Sequence, residues 1–413
     1  MFPSLVRVID RKFDHDQQNL TLIVDLIKGQ PKKGEGIFLK TVYSDYFIII
    51  KNITKSDSGQ YYELFFEGHP WVWTKETEQY IKAGKSLDLC SITPEDFQNL
   101  TIQHKIDYFS SIADLIGVGR VPFFIKSNIL SSIHLILKDK EGEAGLTKFG
   151  GLPLAPENFV FPKDAAGKSA LFIGQIHIGE LNQWFEAAKE LEGKGILYFF
   201  GTIKVKEEGQ YHNFEDILVY YSEKTNDLTT ADLPGDLRAY GVLAEKDVMV
   251  MEDIAIPPAL GSSLWPGEKM SADEFESYCC IEDLLVYHYT KSTCLTPDFD
   301  DILLLLGHPI QIQGCVLFET ELKHSGQGWY HPDYGKESYS PEKWEEIKMK
   351  ATPMAKQWRL LFEFNPANNF FRQLSNFNGY FNQSKDGSFY VMIKQADLND
   401  LNFSATETIY QNT

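Results

Sequence analysis

The hydrophobic and polar positions of the first 120 residues follow strand spacing and then helix spacing. Apolar residues alternate with polar ones from Leu20 to Leu26, and the run 46–50 is aromatic and β-branched, which is typical of strands. From Ile106 to Ile116 the apolar residues recur at helical spacing, and Gly117 is placed to end the helix. The pattern predicts a small α+β domain over residues 1–120.

A stretch containing glycine and proline, 117–122, interrupts the hydrophobic pattern. We therefore expect a linker at 121–127 and a second, larger domain at 128–413. Two domains also suit the length, since a chain of 413 residues exceeds the roughly 250–300 residues that one hydrophobic core supports.

The larger domain begins with a strand-like stretch at 129–137, and several helix starts follow it. Ser271 and Glu274 have the spacing of a capping box. Further predicted helices open with Thr-Pro at 296–306 and with Ser-Pro at 340–342. Strands and helices alternate without a regular βαβ rhythm, which predicts an α+β fold around a mixed or antiparallel sheet.

The larger domain also contains an internal echo. The apolar stretch 171–176 is followed by 195–200, and 360–364 is followed by 387–393. In both pairs an apolar strand precedes a glycine-led strand that contains a tyrosine. Two related β units would explain the echo, and so would chance similarity between buried strands; both interpretations stay open.

Four ordered motifs cover roughly residues 128–405, about two thirds of the chain. They are Lys148–Pro156 with Phe161-Pro162 and Ala170–Ile176, then Gly195–Phe200, then Leu305–Gln313, and finally Asp386–Ile393 with Asp397-Leu398 and Phe403. This order of motifs resembles the YwqG-like family of bacterial proteins of unknown function. Residues 1–120 are not assigned to a family. The resemblance implies a domain sometimes found near polymorphic toxin systems, and hence an immunity-like role.

The acidic residues are unevenly distributed. The net charge is −19, yet residues 1–127 hold 15 basic and 16 acidic residues, against 24 and 42 in residues 128–413. Residues 201–300 alone hold 7 basic and 20 acidic residues. Such a chain repels a phosphate backbone and an acidic membrane surface, so we expect neither nucleic acid nor membrane as a partner.

An acidic face can steer a basic protein partner, and a carboxylate-rich soluble surface is the simpler interpretation of the same residues. We predict a non-enzymatic interaction protein, immunity-like, that binds a basic toxin or effector. The candidate contacts are Asp273, Glu274, Glu276, Glu282, Asp283, Glu207, Glu208, Glu215 and Asp216.

The alternative is a small-ligand-binding protein or a hydrolase-type enzyme. Gln175 and Gln313 each interrupt an apolar stretch, where a buried amide needs hydrogen-bond partners. They either form a structural amide bond between strands or face a ligand, together with His324 and His331 in the polar loop 323–333.

No residues predicted to be catalytic, to ligate a metal or to bind a cofactor emerge from the motifs. Cys279 and Cys280 lack the spacing of a tetrahedral zinc site. Cys315 lies in an apolar stretch that resembles a buried strand, where a thiol is inert. Five cysteines, few and odd in number, suit reduced thiols in a cytoplasm. The longest uninterrupted aliphatic run, 302–306, is too short to span a bilayer.

Overall fold

The chain divides into two compact units. The barrel unit comprises Met1–Asn128 and Pro266–Thr296, and the sheet unit comprises Ile129–Trp265 and Pro297–Thr413. The structure is a computed structural model, and it describes residues 4–14, 19–28, 36–40, 45–55, 62–67, 86–90, 97–139, 145–185, 187–191, 193–206, 211–259, 263–265, 269–290, 302–327, 339–366, 369–372, 380–381 and 387–412.

Helices and strands occur in both units, so the predicted α+β class is confirmed. The helices are α1 (Ile102–Ile116), α2 (Val121–Asn128), α3 (Ile178–Trp184), α4 (Ala272–Thr290), α5 (Val316–His324), α6 (Pro341–Ala355), α7 (Asn369–Arg372) and α8 (Gln395–Asn399). The strands are β1 (Ser4–Asp14), β2 (Asn19–Lys28), β3 (Gly36–Lys40), β4 (Asp45–Lys55), β5 (Tyr62–Glu67), β6 (Ser86–Cys90), β7 (Leu130–Asp139), β8 (Lys148–Phe149), β9 (Leu154–Ala155), β10 (Leu171–His177), β11 (Ile196–Lys206), β12 (Tyr211–Ser222), β13 (Thr229–Thr230), β14 (Lys246–Ala255), β15 (Ile302–Leu305), β16 (Trp358–Phe364), β17 (Tyr380–Phe381), β18 (Gly387–Lys394) and β19 (Glu407–Asn412).

Six antiparallel strands of the barrel unit close into a barrel in the order β1-β2-β5-β4-β3-β6. The strands predicted at 20–26 and 46–50 lie in β2 and β4. Helix α1 ends at Gly117, as its spacing predicts, because the glycine N–H closes the last turn on Ala113.

The barrel unit differs from the predicted domain 1–120 in two ways. The segment expected as a linker, 121–127, is helix α2, and its apolar face with Phe124 is buried. Helix α4 also belongs to this unit although it comes from the middle of the predicted second domain. The rings of Phe124 and Tyr278 on α4 pack with their centroids 5.7 Å apart. Long-range packing of this kind leaves no signal in local composition.

Eleven strands form the sheet of the sheet unit, in the order β17-β12-β11-β10-β8-β14-β7-β15-β16-β18-β19. Every pairing is antiparallel except that of β17 with β12. Tyr46 in β4 and Tyr198 in β11 lie in different sheets. Within the described ranges, no helix combines the length and the apolar character needed to cross a bilayer.

The helix predicted over 296–306 is wrong where the structure describes it. Residues Ile302–Leu305 form strand β15, which pairs with β7 on one side and β16 on the other. Four consecutive aliphatic residues suit a strand that is buried on both faces as well as they suit a helix, so spacing alone could not distinguish the two.

The sheet contains two related β units, and the pairing registers show it. The first repeat consists of β8, β10, β11, β12 and β14, and the second repeat of β15, β16, β18, β19 and β7. Gln175 pairs with Tyr198 in the first repeat, and Glu363 pairs with Tyr390 in the second, each next to a register shift of the same kind. The two repeats meet at the antiparallel pair β14 and β7, where Met249 faces Ile136.

Strand β7 is out of sequence order within its repeat. It precedes the whole first repeat in the chain, yet it pairs with β15 and completes the second. Residues of both repeats share one hydrophobic core, in which the rings of Phe199 and Phe362 lie 4.4 Å apart. In the second repeat, helices α5 and α6 cover a further hydrophobic core. In the first repeat, the corresponding core contains no residue of helix α3.

Candidate functional site

The N-terminal end of helix α4 is fixed by the predicted capping box. The Ser271 N–H donates to Glu274 Oε2 at 2.9 Å, and the Glu274 N–H donates to Ser271 Oγ at 3.2 Å. Arg120 adds two hydrogen bonds from its guanidinium, at 2.9 Å each, and one from its backbone N–H at 3.0 Å. These bonds lower the pKa of Glu274 well below its ordinary value, and the bonds from the Arg120 guanidinium contribute most to the shift.

Glu274 is consequently not the exposed contact that the sequence predicted. It is 6% exposed, and its carboxylate is occupied by the bonds that hold the helix. A cap residue at N3 of a capping box has this position for a structural reason, because it must reach back to the start of the helix.

Two other predicted acids on the same turn face solvent. Asp273 and Glu276 are exposed, and neither has a salt-bridge partner among the residues that the structure describes. Glu282 is half-buried. Asp283 lies in α4, and its side chain is outside what the structure describes.

The second group of predicted acids lies in the sheet unit and is partly engaged. Glu215 is exposed and forms an ion pair with Lys204 at 2.8 Å. Asp216 is half-buried, and its Oδ1 accepts the N–H of Ile217 at 3.0 Å. Glu207 and Glu208 lie outside the described residues. The structure therefore places the candidate contacts on two different units, and among the described side chains of α4 the uncommitted carboxylates are those of Asp273 and Glu276.

Gln175 has a structural role. It is fully buried, its Oε1 accepts the N–H of Leu154, and its Nε2 donates to the carbonyl of Leu146, both at 2.8 Å. Tyr198, opposite Gln175 in the sheet, donates its hydroxyl to the carbonyl of Leu154 at 2.9 Å. Leu154, at the start of the short strand β9, is thus held through both its N–H and its C=O.

The second repeat holds its own loop in the same way. The N–H of Ile310 donates to Glu363 Oε2 at 2.9 Å, and the Tyr390 hydroxyl donates to the Ile310 carbonyl at 2.6 Å. Burial raises the pKa of Glu363 to about 8, against the lowering effect of the bonds from Ile310 and Ser388. The carboxyl is therefore mostly protonated at neutral pH and presents one acceptor and one donor, like an amide.

The loops that these pairs hold are built on matching left-handed turns. Gly150 and Gly151 have φ of +69° and +67°, and Leu306 and Gly307 have φ of +63° and +85°. A Cβ at Gly307 would lie 2.7 Å from the Cβ of Ser132, so glycine is required there by space as well as by conformation. The glycine–proline motifs that carried the family resemblance therefore form the same type of turn in both repeats.

The other predicted ligand residues do not gather around Gln175. The backbone N–H of Gln313 donates to Gln411 Oε1 at 3.2 Å. His324 is exposed, with its Nδ1 at 3.1 Å from Glu407 Oε1. His331 lies outside the described residues. The amide of Gln175 is used by Leu146 and Leu154, so it forms no structural pair with Gln313.

Sequence reasoning missed three buried polar residues, Glu363, Tyr390 and Gln411. Gln411 is fully buried, accepts from two loop N–H groups, and donates to the Gly314 carbonyl and to Glu319. The signal that singled out Gln175, a polar residue within an apolar strand, is also present at Glu363 in 360–364.

An open cavity of about 590 Å³ lies in the sheet unit, beside helix α3 and strand β14. It is lined by Gly145, Thr147, Glu180, Leu181, Phe185, Asp247, Val248 and Val250. None of Gln175, Gln313 and His324 lines this cavity.

Thiol and metal chemistry find little support in the described part of the chain. Cys315 is buried, and burial raises the pKa of its thiol, as expected of an inert cysteine. It caps helix α5 at its N-terminus and is not part of a strand, which corrects the sequence interpretation. Among the described residues, no three histidine, cysteine or acidic side chains group as metal ligands would.

Comparison with known proteins identifies one relationship. A family model described as Domain of unknown function (DUF1963) matches residues 147–411, a range that holds both repeats except β7 and the last residue of β19. No curated protein matches the chain.

Proposed function

The chain belongs to the DUF1963 family, and from that premise we propose that it is a non-enzymatic binding protein that docks a basic protein partner at the acidic end of helix α4. The observation that carries this proposal is the pair Asp273 and Glu276. Both carboxylates are exposed and without salt-bridge partners among the described residues. A third acid on the same turn, Glu274, is neutralised by Arg120 and keeps the helix end in place.

Rigid placement matters because a docking residue contributes more when its position is already fixed before the partner arrives. The N–H of Val118 donates to Ser277 Oγ at 3.2 Å, so a second bond ties α4 to the turn between α1 and α2. Asp273 and Glu276 are three residues apart and therefore lie on one face of the helix.

The negative charge of these two residues supports a basic partner. Two unpaired carboxylates attract Lys and Arg side chains and raise the association rate, an effect that fades as salt shortens the Debye length from about 10 Å at 0.1 M to about 3 Å at 1 M. The resemblance of the motifs to the YwqG-like family supports an immunity-like form of this role, in which the partner is a basic toxin or effector.

The test uses the full chain and a basic protein partner recovered with it by pull-down. We expect the double variant Asp273→Asn/Glu276→Gln to associate several-fold more slowly at low salt, and the difference to vanish near 1 M. The matched control is Glu215→Gln, an exposed acid already paired with Lys204, which should leave the rate unchanged. Surface plasmon resonance over a salt series measures the rates.

Glu274 is left intact in these variants because its replacement would also remove the helix cap. An association rate that ignores both salt and the double substitution would contradict the proposal. So would an equal loss of rate in Glu215→Gln, because it would show a general effect of net charge and no docking site on α4.

A further inference from the structure

We propose that the cavity beside helix α3 binds a small organic cation, a primary amine carried on an apolar body, at a site separate from the acidic end of α4. Among the described residues, its lining contains two acidic side chains and no basic one. Two carboxylates favour a cationic ligand over an anionic one.

The apolar part of the lining defines the body of the ligand. Leu181 and Phe185 follow one another along α3 and its C-terminal end, and Val248 and Val250 lie two residues apart in β14, on one face of the sheet. A volume of about 590 Å³ lies within the range of small-molecule sites, and such sites combine an apolar wall with a few polar groups.

Glu180 provides the polar end. Thr147 accepts the backbone N–H of His177 at 3.0 Å and donates its own hydroxyl to Glu180 Oε2 at 3.2 Å, so the carboxylate is oriented from within the fold. Its other oxygen lies 3.5 Å from Nδ1 of His177, and that nitrogen has no hydrogen-bond partner in the described structure.

The neighbouring carboxylates are paired with lysine side chains, whereas Glu180 has only Thr147 and His177 beside it among the described residues. Glu245 is bound to Lys148 at 3.0 Å, and Asp139 is bound to Lys246. No lysine or arginine of the described residues pairs with Glu180, whose side chain is 46% exposed. An ammonium group seated on the apolar wall would supply the missing cation.

The size of the cavity favours a free small molecule over a side chain of a protein. A lysine side chain offers a thin stem and would leave most of the apolar wall uncovered, whereas an aromatic amine covers the wall and reaches Glu180. We therefore assign the site to a free amine, independently of the proposed partner of α4.

The test titrates the full chain with phenethylamine and, as a neutral isostere, phenethyl alcohol. We expect phenethylamine to shift the methyl resonances of Leu181, Val248 and Val250 and to bind at least about tenfold more tightly than the alcohol, since a hydrogen bond to a charged group strengthens binding by that order. Calorimetry measures the affinities, and methyl NMR locates the site.

Two variants separate the role of charge from that of folding. Glu180→Gln keeps the shape and the bond to Thr147 and should reduce the affinity for phenethylamine about tenfold, to that of the alcohol. Glu157→Gln, an exposed acid outside the cavity, should leave the affinity unchanged.

Three results would overturn the assignment. The first is that the three methyl signals of the native chain do not shift with up to about 10 mM phenethylamine. A fragment of this size that has no effect at that concentration does not bind the site. The second is equal binding of amine and alcohol, or of the native chain and Glu180→Gln. The third is tighter binding by a lysine-containing peptide than by phenethylamine.

Discussion

Glu363 occupies in the second repeat the position that Gln175 occupies in the first. Each is buried, each lies opposite a tyrosine in the neighbouring strand, and each accepts the N–H of the loop residue whose carbonyl that tyrosine binds. A carboxyl can replace an amide here because burial keeps it protonated. The two loops are therefore held by the same geometry with different chemistry.

This equivalence predicts a pH dependence of stability that originates at Glu363. Its pKa is 4.5 when unperturbed and about 8 in the folded protein, so the unfolded chain loses this proton first as pH rises. The stabilising contribution is fully present below pH 4.5 and declines up to about pH 8, by at most about 1.4 kcal/mol per pH unit. Glu363→Gln should remove this decline.

Urea unfolding followed by hydrogen exchange of peptides from β16 and β18 measures the effect in the sheet unit. The reciprocal variant Gln175→Glu is the matched control, because it should create a similar decline in the first repeat. If the native protein and Glu363→Gln keep a constant difference in unfolding free energy between pH 5 and 8, Glu363 does not titrate as described.

The hydroxyl groups of Tyr198 and Tyr390 should contribute about equally to stability. Tyr198→Phe and Tyr390→Phe each remove one hydroxyl that binds a loop carbonyl, and each should lower the free energy of unfolding by about 1–2 kcal/mol. Tyr220→Phe, at a residue 39% exposed, should change it by less than about 0.5 kcal/mol. Denaturant melts give the three values, and a neutral result at both buried tyrosines would refute the loop-holding role.

Gly150 should tolerate no side chain. Its φ is +69°, and a Cβ there would collide with the backbone carbonyl of Ala244. We expect Gly150→Ala to destabilise the protein by more than about 2 kcal/mol, from backbone strain and the forced shift together. Gly167 has φ +78° with open space around a Cβ, so Gly167→Ala should show the strain alone, about 1 kcal/mol. Thermal melts that rank the two variants in the opposite order would contradict the account.

The capping box should matter for the barrel unit alone. Ser271→Ala removes the acceptor for the Glu274 N–H and should lower the stability of this unit by about 1 kcal/mol. Ser340 caps α6 in the sheet unit by accepting the N–H of Lys343 at 3.2 Å, so Ser340→Ala provides the comparison in the other unit. Hydrogen exchange of peptides from α4 and α6 separates the two effects.

Acid should weaken the same cap. Since the pKa of Glu274 is lowered in the fold, its contribution is present above about pH 4.5 and is lost as pH falls below that value. Protection of α4 amides from exchange should decrease in that range in the native protein. In Glu274→Gln the cap should be weaker at neutral pH and insensitive to acid, and an acid-induced loss of the same size in that variant would assign the titration to another group.

Local signals in the sequence predicted what local chemistry determines. The cap at Ser271, the end of α1 at Gly117 and the helix after Ser340 follow from hydrogen bonds within a few residues, and all three are confirmed. The echo between 171–200 and 360–393 corresponds to two strand pairs, β10 with β11 and β16 with β18, that have the same register and the same register shift.

Long-range packing decided what the sequence could not predict. Strand β15 has the composition of a helix or a strand, and only its neighbours β7 and β16 settle the matter. The return of α4 to the barrel unit depends on contacts between Phe124 and Tyr278, which are far apart in the chain. The partners of Gln175 are backbone groups of a loop, and no spacing in the sequence identifies them.

Strand β7 limits where the chain can be truncated without disrupting the sheet. The family match begins at residue 147, whereas β7 ends at Asp139 and lies between β14 and β15 in the middle of the sheet. A fragment trimmed to the matched range would expose the edges of β14 and β15 where β7 had been, and open strand edges recruit other chains into aggregates. During synthesis β7 emerges from the ribosome before all of its partner strands. Ile136 in β7 can pair with Ile302 in β15 only after about 165 more residues have been made, so this side of the sheet forms late.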